Sequence, residues 1–265
     1  MNIKFVTIET RRARDQLPFN TKPPFEYNLI QSAKINKIDI EVLGKGVHWE
    51  WFITKLEILD KYLTDVKEDY FCFTDSVDVL FLDNENNIFN LYNKHFLNKI
   101  VFNAEINCWP DKSLSNHFKN KDSEYKYLNS GCYIGPTKLI HQVIKECIKF
   151  SKENYVGGPR PKKWDYRGDS GGNFKDDQYL FQQMYLGLFK DDIVIDHKCK
   201  LFQTLYNAEN HVQYLETSVY NNHTNSTPLI IHGNGKKSLR QSAEVFCRKH
   251  KCTLKETFSE ERFVY

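Results

Sequence analysis

The stretch FTDSVDVLF, residues 73–81, places two carboxylates three residues apart inside an otherwise apolar segment. A buried carboxylate is costly unless a cation or hydrogen-bond donors offset its charge. The residues from Tyr70 to Phe73 read as a buried strand, so Asp75 and Asp78 fall just beyond its end. Ligands of open α/β sheets bind at this edge. The stretch therefore predicts a sheet strand with a charged site after it.

The chain before this stretch alternates strand-like and helix-like segments. Strands are predicted at Ile3 to Ile8 and at Ile38 to Leu43, where apolar residues dominate or alternate with polar ones. A short helix is predicted at Phe25 to Ile35 after a Pro-Pro pair, and Trp51 to Leu63 carries apolar residues at helical spacing. Together with Tyr70 to Phe73 this order is strand, helix, strand, helix, strand. It predicts a parallel sheet with right-handed crossovers.

The second half of the chain continues the α/β pattern. Its predicted elements are strands at Lys99 to Ala104, Tyr127 to Gly135, Asp192 to Ile195 and Leu229 to Ile231, and helices over Leu139 to Ile148 and from Asp176 onward. Residues 155–173 are dense in Gly, Pro and charge, which is typical of a lid or substrate loop within a compact domain.

Composition narrows the class of protein. Among the 265 residues, 40% are hydrophobic and 27% charged, as in globular proteins, and a net charge of +3 is too small for a nucleic-acid binder. The sequence lacks an apolar run long enough for a membrane segment, and its N-terminus lacks the apolar core of a signal peptide. The seven cysteines form no CxxC pair, so we expect reduced, buried thiols. Nothing in the sequence sets the oligomeric state.

Acidic and imidazole side chains at three places in the chain carry candidate chemistry. Asp75 and Asp78 can hold a hard cation such as Mn²⁺ or Mg²⁺ with positions left for phosphate oxygens, or they can lie in a turn where they cap a helix and face water. His232, in IIHGNG, suits Mn²⁺ but can equally be a structural loop residue. Asp176 and Asp177, next to the Gly-rich loop, can be a catalytic pair or a helix cap.

The sequence lacks the motifs of several common nucleotide-binding, hydrolase and zinc sites. Neither GxxxxGK[ST] nor GxGxxG occurs, which removes P-loop phosphoryl transfer and leaves a dinucleotide site without support. GxSxG and HExxH are also absent, and the cysteines lack zinc spacing.

Six blocks occur in a fixed order along the chain: FTDSVDVLF, FNAEINCWPD, YLNSGCYIG, DDQYLF, DHKCKLFQTLY and IIHGNG. This ordered set resembles the glycosyltransferase domain of the procollagen lysyl hydroxylases and, more distantly, the collagen galactosyltransferases. The resemblance runs from about Ile3 to beyond Gly235, without the hydroxylase and middle domains of those enzymes. A stand-alone transferase is therefore expected.

The resemblance implies a GT-A type fold, a single Rossmann-like domain over residues 1–265 whose mixed, mainly parallel sheet is flanked by helices. Residues 1–110 would form the nucleotide- and metal-binding half and residues 111–265 the acceptor-side half. The implied cofactor is Mn²⁺, with Mg²⁺ possible, and the implied donor is a UDP-sugar. The implied partner is a collagen-like protein or peptide.

Site residues follow from the same resemblance, position by position. The implied metal ligands are Asp75, Asp78 and His232, and the implied catalytic acids are Asp176 and Asp177. The implied nucleotide-side residues are Thr7, Thr10, Trp49, Lys55, Ser76, Val77, Gly233, Asn234 and Gly235. The implied sugar and acceptor residues are Glu105, Trp109, Asn129 and Gln178. The family usually has an aromatic residue that stacks on uracil where this chain has Val77, so base recognition must use other contacts.

The implied reaction is the transfer of glucose from UDP-glucose to galactosyl-hydroxylysine in collagen-like proteins, with retention of configuration. Three alternatives stay open: galactose transfer to hydroxylysine, a metal-dependent hydrolase using the same acids and histidine, and a catalytically silent binding module. Family enzymes work in the secretory pathway, whereas no signal peptide is predicted here. We therefore expect a cytoplasmic protein, in the host cytoplasm if the source is viral.

Overall fold

The computed structural model describes residues 2–10, 28–120, 122–155, 172–235 and 237–254. Its strands are β1 (Ile3–Ile8), β2 (Ile40–Leu43), β3 (Tyr70–Asp75), β4 (Val79–Phe81), β5 (Ile100–Glu105), β6 (Tyr127–Pro136), β7 (Ile193–Ile195), β8 (Phe202–Thr204), β9 (Val212–Tyr214), β10 (Val219–Asn221) and β11 (Ile230–His232). Its α-helices are α1 (Asn28–Ile35), α2 (Ile53–Leu63), α3 (Glu85–Phe96), α4 (Thr137–Asn154), α5 (Asp177–Leu186) and α6 (Arg240–His250).

A six-stranded sheet with the order β2-β1-β3-β6-β5-β7 forms the centre of the molecule. β1 pairs in parallel with β2 and β3, so the first three strands and their two helices form the expected βαβαβ unit. β6 is antiparallel to its neighbours β3 and β5, while β7 is parallel to β5. Five strands therefore share one direction. The predicted α/β class, with a mixed, mainly parallel sheet flanked by helices, is confirmed.

Helices cover both faces of this sheet. Successive side chains of a strand point to opposite faces. Accordingly, Phe71 and Phe73 of β3 join the apolar core that contains α2, α4 and α5, whereas Tyr70 and Cys72 join the core that contains α1 and α3. A strand that is buried on both faces needs a continuous apolar run, which explains the composition of the segment before the acidic motif.

A second, three-stranded sheet has the order β4-β11-β8. β11 is antiparallel to β4 and parallel to β8. Only residues 76–78 separate β3 of the large sheet from β4 of the small one. The acidic loop is therefore the passage of the chain from one sheet to the other. α6 packs against the small sheet through Val245 and Phe246.

The fold differs from the sequence-based predictions in some elements and agrees with them in others. β3 extends two residues beyond the predicted Phe73 and includes Asp75, and α3 was not predicted at all. All seven cysteines are free and five of them are buried, as expected for reduced thiols. Among the described residues, none of the helices combines the length and apolar character that crossing a membrane requires. Residues 25–27 of the predicted first helix and residues 156–171 of the predicted substrate loop lie outside the described residues.

Candidate active site

The two sheets meet at Asp75, Asp78 and His232. Asp75 ends β3, Asp78 immediately precedes β4, and His232 ends β11. Nε2 of His232 lies 3.5 Å from Oδ1 of Asp78 and 3.8 Å from Oδ2 of Asp75. One ligand atom from each of the three residues lies within 4.8 Å of the other two. The structure thus brings together the three residues that were expected to bind a metal.

Strand pairing explains why the histidine reaches the two acids. β11 pairs with β4 in the register that sets His232 opposite Val79, the residue after Asp78. The backbone N–H of Gly233 then donates to the carbonyl oxygen of Asp78 at 2.7 Å. The ladder therefore holds the end of β11 against the acidic loop.

Gly131 of β6 leaves the space that the imidazole ring occupies. A Cβ atom at this position would lie 2.1 Å from Cε1 of His232 and 2.9 Å from Oδ2 of Asp75. Only glycine admits both side chains. Gly131 lies in the block YLNSGCYIG but is not among the site residues predicted from the sequence. The signal available in the sequence was a glycine inside a strand, which often marks a place where another group approaches the backbone closely.

In this cluster, burial disfavours the charged form of each side chain, whereas the neighbouring groups of opposite charge favour it. Burial raises the pKa of the Asp75 carboxyl, although Lys55 and His232 act in the opposite direction. Burial would also raise the pKa of Asp78, but His232, the backbone N–H of Asp78 and Lys55 together lower it below its ordinary value. Burial would lower the pKa of His232, and the carboxylates of Asp78 and Asp75 bring it above its ordinary value. Two carboxylates and one imidazole converging in this way suit Mn²⁺ or Mg²⁺.

Lys55 of α2 connects this cluster to α5. Its Nζ lies 2.9 Å from Oδ1 of Asp75 and 2.7 Å from Oδ2 of Asp177. Burial alone would lower the pKa of Lys55, but Asp177 and Asp75 raise it above the ordinary value. This residue was expected near the donor phosphates. In the structure its ammonium group joins three elements through two ion pairs.

Asp176 and Asp177 are neighbours with different environments. Asp176 is the N-cap of α5, and its Oδ1 accepts a hydrogen bond from the backbone N–H of Tyr179 at 3.1 Å. Burial, and then the charge of Asp177, raise the pKa of Asp176 well above its ordinary value. Asp177 instead faces Lys55. The helix-cap reading therefore describes Asp176, and the ionic partner is Asp177.

Glu105, at the end of β5, is the centre of a buried amide network. Its Oε1 accepts from Nδ2 of Asn129 at 3.2 Å and from Nε2 of Gln178 at 2.7 Å. Its Oε2 accepts from Nδ2 of Asn234 at 3.3 Å. Burial raises the pKa of Glu105 to about 7, against the lowering effect of the hydrogen bonds from Asn129 and Gln178. Three residues expected near the sugar and acceptor thus form one connected group with Asn234, which was expected on the nucleotide side.

Trp109 was expected beside these residues and is linked to them through its backbone. Its carbonyl oxygen accepts from Nε2 of Gln178 and from Nε2 of Gln182, both at 2.8 Å. The residue as a whole is 41% exposed. The indole therefore presents an accessible face next to the network, while the main chain at Trp109 is fixed by α5.

The turn after β11 contains three residues expected near the diphosphate. A Cβ atom at Gly233 would lie 2.5 Å from the carbonyl oxygen of Lys237, and one at Gly235 would lie 2.4 Å from Cδ2 of Tyr206. Gly235 also has a φ of +65°. Oδ1 of Asn234 accepts from the backbone N–H of Tyr206 at 3.0 Å. Both glycines are therefore required by the tight turn itself.

The remaining nucleotide-side residues lie at the end of β1 and in loops. Thr10, Trp49, Ser76 and Val77 are half-buried, and Thr7 is fully buried within β1. Oγ of Ser76 donates to Oε2 of Glu9 at 3.2 Å, which ties the acidic loop to the end of β1. The predicted nucleotide role of these residues stays a prediction.

Glu124, His211 and His223 form a second group whose ligand atoms lie within 4.8 Å of one another. The two imidazole rings are stacked, with centroids 4.6 Å apart and an angle of 13° between their planes. The lone pairs of ring nitrogens lie in the ring planes, so two nearly parallel rings cannot aim them at one ion. This arrangement does not form a metal site.

Comparison with known proteins adds a family and several relatives. A family model described as the PLOD GT domain matches residues 25–154 and 167–243. An uncharacterized protein of Acanthamoeba polyphaga mimivirus is 32% identical over 217 residues, which are 77% of this chain and 41% of that protein. The multifunctional procollagen lysine hydroxylase and glycosyltransferase of Caenorhabditis elegans is 30% identical over 227 residues, 78% of this chain and 28% of the relative. The Homo sapiens protein of that name, LH3, is 25% identical over 233 residues, 80% of this chain and 28% of the relative.

The chain therefore spans less than half the length of these curated relatives. Among solved structures, a glycosyltransferase involved in the glycosylation of the major capsid of PBCV-1 matches with a TM-score of 0.49 and 12% identity. That match covers 91% of this chain and 98% of the other.

Proposed function

The chain belongs to the PLOD GT domain family of glycosyltransferases, and from that premise we propose that it moves glucose from UDP-glucose to galactosyl-hydroxylysine in collagen-like proteins. Relatives named for procollagen lysine hydroxylation and glycosylation support an acceptor of this kind. Galactose transfer from UDP-galactose to unmodified hydroxylysine is the alternative within the same family.

The observation that carries the proposal is the convergence of Asp75, Asp78 and His232 where the two sheets meet. Their two carboxylates and one imidazole suit Mn²⁺, and the space that Gly131 leaves admits the imidazole beside the acids. A divalent ion held by these residues supplies positive charge that offsets the negative charge developing on the β-phosphate of the donor. The three ligands come from both proposed halves of the domain, residues 1–110 and 111–265.

The transfer breaks the bond between the anomeric carbon and the β-phosphate oxygen, and UDP leaves with the bonding electrons. The acceptor hydroxyl oxygen bonds to the anomeric carbon, and its proton passes to the departing β-phosphate oxygen. As positive charge grows on the sugar, we assign its stabilisation to the carboxylate of Asp177, which Lys55 holds in place at 2.7 Å. Asp176 then supports the reaction by capping α5. We propose retention of configuration, as the family resemblance implies.

On the acceptor side, the exposed ring of Trp109 offers an apolar face for a sugar ring. The network around Glu105 fixes the side chains of Asn129 and Gln178 next to it. On the nucleotide side, Val77 supplies bulk but no aromatic face. Uracil recognition is therefore assigned to other groups, such as the half-buried Trp49.

A screen of donors and acceptors tests the reaction. The protein is incubated with Mn²⁺ and either UDP-glucose or UDP-galactose, with hydroxylysine peptides that do or do not carry galactose, and products are read by mass. We expect one hexose to be added only with UDP-glucose and the galactosylated peptide, and EDTA to prevent it. Hexose addition to the unmodified peptide from UDP-galactose would favour the alternative. Donor breakdown that no peptide accelerates would identify a hydrolase.

A second measurement tests the metal site itself. Asp75→Ala and His232→Ala should each abolish Mn²⁺-dependent binding of UDP in titration calorimetry, because each removes a ligand. His211→Ala is the matched control, since it removes a histidine from the stacked pair outside the site. If both site variants bind metal and UDP as the parent does, the assignment is wrong.

A further inference from the structure

Asn129 of β6 contacts the metal-site histidine as well as the acceptor-side network. Its Oδ1 accepts a hydrogen bond from the backbone N–H of Gly131 at 3.0 Å. The same oxygen lies 3.1 Å from Nδ1 of His232. A backbone N–H can only donate, so the atom of Asn129 that faces Gly131 is the oxygen and not the amide nitrogen. That oxygen can accept but cannot donate.

The orientation of this amide decides where the imidazole proton lies. Nδ1 of His232 has two amide neighbours, Oδ1 of Asn129 at 3.1 Å and Nδ2 of Asn103 at 3.5 Å. The oxygen is the nearer of the two and lies at ordinary hydrogen-bond distance, which requires that Nδ1 carry a hydrogen. A neutral imidazole has only one N–H, so the lone pair is then on Nε2. Nε2 is the atom that faces Asp78 at 3.5 Å and Asp75 at 3.8 Å. A lone pair directed at two carboxylates is repulsive unless a cation or proton lies between them. This tautomer is therefore the one that turns His232 into a metal ligand.

The other end of the amide is held as well. Nδ2 of Asn129 donates to Oε1 of Glu105, the oxygen that also accepts from Gln178. Asn129 is 5% exposed and Gln178 is 7% exposed. Three neighbours inside the protein thus fix the Asn129 side chain, and its rotation is prevented from both ends. Gln178 shares the partner Glu105 with Asn129, and it donates from α5 rather than from β6.

We infer that Asn129 is a positioning residue for the metal site: its Oδ1 holds His232 in the Nδ1–H tautomer and turns Nε2 toward Asp75 and Asp78. The inference rests on the proposed metal-binding role of His232. It gives Asn129 a task distinct from lining the acceptor pocket. Residues that orient a metal-bound histidine in this way typically change metal affinity by about 10- to 100-fold when they are removed.

The test measures affinity for Mn²⁺ with UDP by titration calorimetry, without sugar or acceptor. The variant Asn129→Ala should weaken binding by about 10- to 100-fold. Gln178→Ala is the matched control, because it removes the other donor to the same Glu105 oxygen and leaves His232 untouched. It should bind within about threefold of the parent. If Asn129 only lined the acceptor pocket, Asn129→Ala would bind Mn²⁺ as tightly as Gln178→Ala does.

His232→Ala separates failure of this inference from failure of the proposed function. If His232→Ala loses binding while Asn129→Ala binds as Gln178→Ala does, Asn129 does not position the histidine and the metal site stands. If His232→Ala itself binds as the parent does, the metal site and the inference both fail. Thermal unfolding of each variant shows that affinities are compared among folded proteins.

The tautomer gives a second measurement that needs no change at Asn129, in case Asn129→Ala does not fold. Spectra of ¹⁵N-histidine-labelled parent protein loaded with Zn²⁺ distinguish a protonated ring nitrogen from a metal-bound one. The His232 signals are identified by their loss in His232→Ala. We expect the proton on Nδ1 and the metal on Nε2. A proton on Nε2 would overturn the inference.

Discussion

Gly131 shows how a residue without a side chain can determine a binding site. The space beside its Cα is filled by the ring of His232 and the carboxylate of Asp75. Gly131→Ala should therefore push one or both ligands aside, and we expect Mn²⁺ affinity, measured by calorimetry with UDP, to fall at least about tenfold.

Gly135→Ala on the same strand is the control for that substitution. Its Cβ would lie 2.9 Å from the Cα atom of Ile100, which belongs to the sheet and not to the site. This variant should lower the unfolding temperature and leave metal affinity close to that of the parent. Equal losses of affinity in both glycine variants would mean that general damage to β6, and not the clash with His232, causes the effect.

Glu105 makes stability depend on pH. Because burial raises its pKa to about 7 in the folded state, the native protein holds this proton over a pH range in which the unfolded chain has lost it. The contribution to stability is complete below the unfolded value of 4.5 and is lost as the pH rises through about 7. Glu105→Gln stays neutral throughout. Between about pH 4 and pH 8, the free energy of unfolding of the parent should fall by about 3 kcal/mol relative to the variant.

Urea unfolding of the parent and of Glu105→Gln, each measured with EDTA at about pH 4 and at about pH 8, checks this expectation. EDTA keeps metal binding out of the comparison. Identical pH dependence in the parent and the variant would show that hydrogen bonds from Asn129 and Gln178 keep the carboxylate ionised at low pH.

Some of these residues could be recognised in the sequence and others could not. Asp75 and His232 each end an apolar strand, and a strand end in an α/β protein is where ligands collect. The hydrogen bond from His232 to Asn129 joins β11 of one sheet to β6 of the other. The hydrophobic periodicity of the sequence does not indicate that these two side chains lie close together. Gly131 became meaningful only once the position of the ring was known.

At the scale of elements, the start of α5 separates Asp176, which caps the helix, from Asp177, the acid to which we assign a part in the reaction. Asp176→Asn keeps an oxygen that can accept from Tyr179, whereas Asp176→Ala removes it. Chemical denaturation should show a loss of about 1 kcal/mol for Asp176→Ala and less for Asp176→Asn. In the peptide glucosylation assay, Asp176→Asn should retain transfer and Asp177→Asn should lose it.

Asn84→Ala is the matched control for the cap, because Asn84 accepts from the backbone N–H of Asn87 at the start of α3. It should lose a similar amount of stability while keeping transfer. If Asp176→Asn is as stable as the parent and yet inactive, Asp176 itself takes part in the reaction.

The spacing of hydrophobic residues predicted the order of elements up to β3. It predicted neither the helix α3 nor the antiparallel direction of β6. α3, with the sequence ENNIFNLYNKHF, contains four Asn residues of low helix propensity. It is stabilised instead by the cap at Asn84 and by burial of Ile88, Phe89 and Tyr92. β6 is buried on both faces, as parallel strands are, so its composition does not reveal that it runs antiparallel.

At the scale of the whole molecule, the candidate site depends on two sheets at once. Asp75 belongs to the six-stranded sheet and His232 to the three-stranded one. A ligand that needs both residues binds the folded protein and not the unfolded chain. At about 100 times its Kd, UDP with Mn²⁺ should add about 2.7 kcal/mol to the free energy of unfolding. For a chain of this size the unfolding temperature should rise by about 5–10 °C.

Thermal unfolding measures this rise with Mn²⁺, with UDP and with both. The combination should exceed either component, and His232→Ala should show no such increase. An equal rise in His232→Ala would place the ligand elsewhere on the protein.

The order of the ligands along the chain sets the order in which a ribosome delivers them. Lys55 emerges first, Asp75 and Asp78 soon after, and His232 only about 150 residues later. We expect the early acids to be neutralised at first by the ammonium group of Lys55, which pairs with Asp75 in the finished protein. We therefore expect the proposed metal site to form only after β11 joins β4 beside the acidic loop.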